Sequence, residues 1–146
     1  MARSDKIVEA IRQFVPTEDG DWSEFISLLD ELWNTNEPQK GYKALFDVMI
    51  KFEDDMEGEW QIIHGMEHFG GYEVELVKSL KQRPTFHTLV MLSRIINVQE
   101  KEIAGVRIED LLGEILLKLS GNQRLKQFAE GCVERLRNGK SNSNGI

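Results

Sequence analysis

Apolar residues recur at helical spacing from one end of this chain to the other, and no segment sustains the period-2 alternation of a half-buried strand. That single pattern restricts the fold to the all-α class. Ser4 is placed to cap a first helix carrying Ile7, Ile11, Phe14 and Val15, which Pro16 ends. Asp21 is placed to cap a second, with Trp22, Phe25, Ile26, Leu29, Leu32 and Trp33 on one broad face. Pro38 suits the first turn of a third, which carries Tyr42, Leu45, Phe46, Met49, Ile50 and Phe52. A fourth starts near Gly58, holds Trp60, Ile63, His64, Glu67 and His68, and is broken by Gly70-Gly71. A fifth covers residues 72–82 with Val74, Val77 and Leu80 inward. Pro84 opens a sixth with Phe86, Leu89, Val90, Ile95 and Ile96, ending near Asn97. Residues 98–106 read as a connector, and a seventh helix spans residues 107–119. After the Ser120-Gly121-Asn122 break, the last helix carries Leu125, Phe128, Ala129, Cys132, Val133 and Leu136.

The 146 residues suit one helical domain over residues 1–137, its eight or so helices packed as antiparallel hairpins or a bundle. Residues 138–146 are rich in Gly, Ser and Asn and read as a disordered tail. No apolar run reaches the length of a membrane span, and the N-terminus lacks the apolar core and cleavage site of a signal peptide. A single cysteine, Cys132, excludes an internal disulfide and fits a reducing cytoplasm. It sits on the apolar face of the last helix, one turn from Phe128 and Leu136, where a thiol packs as a small hydrophobe.

Charge is unevenly distributed. Residues 1–75 hold 18 of the 25 acids and 6 of the 18 bases, a net of −12, whereas residues 76–146 hold 7 acids and 12 bases, a net of +5. Between Arg12 and Lys40 there is no basic residue, yet Glu18, Asp19, Asp21, Glu24, Asp30, Glu31 and Glu37 fall there. A second acidic run holds Glu53, Asp54, Asp55, Glu57 and Glu59. Such a field repels phosphates and attracts basic partners; it also serves simply as a solvated, solubilising face. The bases of the second half are interspersed with acids and lack an aromatic platform, which argues against nucleic-acid binding.

One segment imitates a catalytic motif. His64-Gly65-Met66-Glu67-His68 reads H-x-x-E-H, the inverted zincin order. On a helix the two imidazoles share a face, so both reach one zinc while Glu67 serves as base in a hydrolase. The sequence marks no third ligand, and Gly65 with Gly70-Gly71 loosens the helix. The alternative is a polar pair of His64 and Glu67, buried or half-buried, with His68 at the surface. No metal and no other cofactor is therefore expected. Ser–His–acid, P-loop, Rossmann and G-x-S-x-G patterns are absent, so the reading is not an enzyme. Trp22, Trp33 and Trp60 all lie in the acidic half. Two anchor the core, and a partly exposed one beside acids would make an interface anchor.

The order of short motifs over residues 60–97 is informative. Trp60-Gln61-Ile62-Ile63-His64-Gly65-Met66-Glu67-His68-Phe69 is followed by Tyr72 and by Leu76 and Leu80. Then come Pro84-Thr85-Phe86 and Leu92-Ser93-Arg94-Ile95-Ile96-Asn97. This order resembles small all-helical immunity proteins of bacterial polymorphic-toxin and contact-dependent growth-inhibition systems. It departs at Gly70-Gly71, where that family commonly has an Asp, at Phe86, which replaces a Trp, and at Ile96, which replaces a Leu. The resemblance implies that His64 and Glu67 belong to the framework. It also implies that the protein binds one cognate toxin domain in the cytoplasm and blocks its active site or substrate groove. Many such toxins are nucleases with basic surfaces, so the acids at 18, 19, 21, 24, 53, 54, 55, 57 and 59 are the expected contacts. The readings from other classes are a helical adaptor or regulatory protein and the zinc-dependent hydrolase.

Overall fold

The computed structural model describes residues 3–144, with side chains as far as Asn138. The fold is all-α: 71% of the chain is helical, and the described strands form one two-stranded ribbon. The helices are α1 (Arg3–Gln13), α2 (Ser23–Trp33), α3 (Tyr42–Lys51), α4 (Glu59–Phe69), α5 (Glu73–Gln82), α6 (Phe86–Asn97), α7 (Ile108–Lys118) and α8 (Gln123–Asn144). A 3-10 turn, Pro38–Gly41, leads into α3. No helix among the described residues is long and apolar enough to cross a membrane.

The chain divides into two compact units, Met1–Glu75 and Leu76–Ile146. The division falls inside α5 and coincides with the step in charge, so the first unit carries the net of −12 and the second the net of +5.

In the first unit α1 packs on α2, α3 and the 3-10 turn, and α4 packs on α2, α3 and that turn. Its core holds Ile11, Phe25, Leu29, Leu32, Tyr42, Leu45, Met49, Ile62, Ile63 and Met66, all at most 1% exposed. Burial of each such side chain contributes about 1.5–3 kcal/mol. Ser4 does not cap α1; it lies buried inside the helix, its hydroxyl 3.4 Å from a Glu37 carboxylate oxygen, because the helix already begins at Arg3. Val15 falls beyond the end of α1 and is exposed. Tyr42 donates a 2.8 Å hydrogen bond to the Gly70 carbonyl just past α4, tying α3 to that helix end.

In the second unit α8 packs on α6 and α7. Thr85 caps α6 reciprocally with Thr88, each side chain accepting from the other's backbone N–H. Arg135 on α8 reaches α6, donating to Asn97 Oδ1 at 2.6 Å and Ser93 Oγ at 2.5 Å, with Cys132 Sγ at 3.4 Å. Cys132 itself is fully buried.

Three local expectations change. In α5, Leu76 rather than Val74 joins Val77 and Leu80 inside, and Val74 is exposed, because Leu76 and Val77 share the buried arc with Leu80. The connector contains a hairpin, β1 (Glu102–Ile103) against β2 (Val106–Arg107), turned through Ala104 and Gly105, both at positive φ as in a type I′ turn. Two residues per strand are too few to show an alternation. Finally, α8 continues as a helix to Asn144, into the stretch read as a tail; side chains after Asn138, and residues 145 and 146, lie outside the described residues.

Candidate functional site

Trp22 organises the acidic surface of the first unit. It sits just before α2 and is 2% exposed, its indole 5.0 Å from the ring of Phe14, 5.2 Å from Phe25 and 5.3 Å from Phe52. The contacts with Phe25 and Phe52 are edge to face, an arrangement that adds about 0.5–1.5 kcal/mol per pair beyond area burial. Phe52 closes α3 and opens the run 53–59, while Trp22 stands between Asp21 and Glu24. The ring contact therefore draws the two acidic segments, thirty residues apart in sequence, to one side of the unit.

A second anchor fixes the far end of the run. Gly58 precedes α4 at φ 86°, a left-handed conformation, and a Cβ there would lie 2.5 Å from Ile26 Cδ1. The left-handed dihedral favours glycine there, and a Cβ would have to push aside the terminal methyl of Ile26. Met56 tucks in between and is buried. The loop is thus held at Phe52, Met56 and Gly58 while its acids face outward: Asp54, Asp55 and Glu57 are exposed, and Glu53 and Glu59 half-buried.

Some of the acids have work within the fold. Asp21 accepts from the Ser23 N–H at 2.9 Å and the Ser23 hydroxyl at 2.6 Å, one residue outside the cap position expected for it. The Ser23 hydroxyl and then its N–H hold the Asp21 carboxyl below its usual range, so this group stays charged in mild acid. Asp19 accepts from the Thr17 hydroxyl. Glu24 and Glu59 lie in the first turns of α2 and α4, where negative charge is favoured by about 0.3–1 kcal/mol. No such account covers exposed Glu18, Asp54, Asp55 and Glu57.

Three bases of this unit pair with acids outside the two segments or at their margin. Arg12 pairs with Glu9, Lys43 with Asp47, and Lys40 with Glu37 at 3.0 Å and Asp5 at 3.7 Å. The bond to Glu37, then the charge of Asp5, raise the Lys40 ammonium above its usual range. Lys51 lies over the Phe52 ring. Among the described residues, Glu18, Glu24, Asp54, Asp55, Glu57 and Glu59 form no ion pair.

The H-x-x-E-H segment occupies α4, whose inward face is Ile62, Ile63 and Met66. His64 and His68 project on the opposite side and are exposed; Glu67 is half-buried. His64 therefore does not belong to a buried polar pair, because the helix turns its aliphatic residues to the core and the imidazoles to solvent. The His64 ring lies 5.6 Å from Trp60, and His68 meets Phe69 edge to face. Among the described residues no group of three or more His, Cys, Asp or Glu side chains is arranged to hold a metal ion.

No family model, curated protein sequence or solved structure matches the chain. The candidate site is an acidic face built by Trp22, Phe52 and Gly58. Both acidic segments are visible in the sequence; the aromatic contact that unites them is not, and its sequence signal is an aromatic at the edge of each.

Proposed function

We propose that this chain is an immunity protein that binds a cognate bacterial toxin domain in the cytoplasm and neutralises it by covering its active site or substrate groove. The toxin is a basic nuclease, and the chain performs no catalysis of its own. The observation that carries the reading is the Trp22–Phe52 contact, which makes one acidic face of two separated acidic segments. A nuclease presents basic surface to hold phosphates, and an acidic face both complements that surface and accelerates encounter with it. The resemblance over residues 60–97, which span α4 to α6, supports the same reading independently of charge.

The test is association kinetics at two salt concentrations, against the purified cognate toxin domain. Reversing Asp54, Asp55 and Glu57 to Lys slows association and flattens its salt dependence, since rim charges act chiefly on the encounter rate. Reversing Lys118, Arg124 and Lys126 of the second unit to Glu does much less. The opposite ranking, or the absence of an upstream toxin gene, overturns the reading.

A further inference from the structure

Three tryptophans lie in the first unit, and the fold uses two of them fully. Trp22 is the hub of the aromatic cluster. Trp33 stacks on Phe69 at 5.5 Å and 24° and covers Gly65, whose Cβ position is 2.3 Å from the indole Cζ2. Trp60 is different: it is 47% exposed, and among the described residues its ring contact is with His64 a turn along the same helix. The core side of α4 is already supplied by Ile62, Ile63 and Met66. At about 3.6 residues per turn, Trp60, Gln61, His64 and His68 share the opposite side, and the structure leaves that side open to solvent.

The charge around this side selects its occupant. No Lys or Arg occurs from residue 52 to residue 77, while Glu57 and Glu59 immediately precede Trp60. Anionic lipid is repelled by such surroundings, and so is the first unit of a second copy of this chain. A protein with a basic rim around an apolar recess is attracted. An exposed indole with polar neighbours Gln61, His64 and His68 on its helix face matches the way binding energy concentrates in protein interfaces, where one buried aromatic dominates and surrounding polar groups exclude water.

We infer that Trp60, with His64 packed beside it, is the apolar anchor of the toxin interface and inserts into an apolar recess bordered by the partner's basic residues. This rests on the proposed function and adds to it a separate energetic element: the acids of the loop set how fast the complex forms, and Trp60 sets how long it lasts.

The experiment measures both rate constants for the same cognate toxin domain. Trp60→Ala raises the dissociation rate by about 30-fold and leaves the association rate within about twofold, as expected for loss of an interface hot spot. Trp60→Phe restores most of the lifetime. Circular dichroism and the urea midpoint of each variant show that the fold is kept. As an independent readout, the wild type's tryptophan emission shifts to the blue on binding, and Trp60→Phe loses the shift. If the Asp54/Asp55/Glu57 reversal slows association but Trp60→Ala leaves both the lifetime and the emission shift unchanged, the anchor is overturned and the immunity reading stands. If the wild type does not bind the toxin domain at all, both fall.

Discussion

The indole of Trp33 lies where a side chain on Gly65 would have to be: a Cβ at that position falls 2.3 Å from Cζ2 and 2.4 Å from Cε2 of the ring. The glycine that loosens α4 by propensity is thus the residue that lets α2 dock on it, with Phe69 one turn on stacked against the same indole. A helical Gly→Ala change normally gains about 1 kcal/mol. Here Gly65→Ala must displace a half-buried indole, and overpacking of this kind costs about 1–3 kcal/mol. Urea denaturation should show net destabilisation. In a Trp33→Leu background the same change should become neutral or stabilising, the non-additivity expected of residues in contact.

Tyr42 carries a pH dependence with a definite sign. Burial, then the charge of Glu73 and the neighbouring Tyr72, push its phenol up to about 12 from an ordinary 10.0. The folded state therefore favours the neutral phenol, which donates to the Gly70 carbonyl. Its contribution to stability is complete below pH 10 and is lost as the pH rises through about 12. Absorbance titration at alkaline pH should show a tyrosine ionising late, together with unfolding. Tyr42→Phe should remove the late titration and cost about 1 kcal/mol at neutral pH through the lost hydrogen bond.

The exposed imidazoles of α4 carry no such weight. Replacing His64 and His68 together with Gln should change the unfolding free energy by less than about 0.5 kcal/mol, the usual range for surface positions. A loss of several kcal/mol in urea denaturation would mean that a buried polar pair exists after all.

Cys132 should be inert in the folded protein. Burial pushes its thiol up, opposed more weakly by Arg135 and Ser93, so the reactive thiolate is scarce at neutral pH. Labelling with a thiol reagent should be slow in buffer and immediate in denaturant. Arg135→Ala removes the donor that joins α8 to Asn97 and Ser93 of α6, and a loss of about 1–3 kcal/mol of stability in urea denaturation should accompany faster labelling.

The all-α class and the segregation of charge were legible in the sequence, since both are carried by neighbours along the chain. Ile7 and Ile11, or Leu111, Leu112 and Ile115, report a helix and its buried stripe through spacing alone, and each of them is buried. The acids of 18–24 and 53–59 can be counted before any fold is known. What spacing cannot carry is which of several apolar faces meets a neighbour. Trp22, Trp33 and Trp60 read alike, yet one is buried in an aromatic cluster, one covers a glycine and one is half in solvent. Spacing left open whether His64 is buried, and α4 turned Ile62, Ile63 and Met66 to the core and His64 to solvent. The union of the two acidic segments depends on a 5.3 Å contact between rings thirty residues apart, and a helical period repeats over four residues and holds no information at that distance. The sequence by itself determined the helices and the sign of the surface; tertiary packing decided which side chains that surface presents, because burial is a property of pairs of faces and each face meets its partner only in the folded chain.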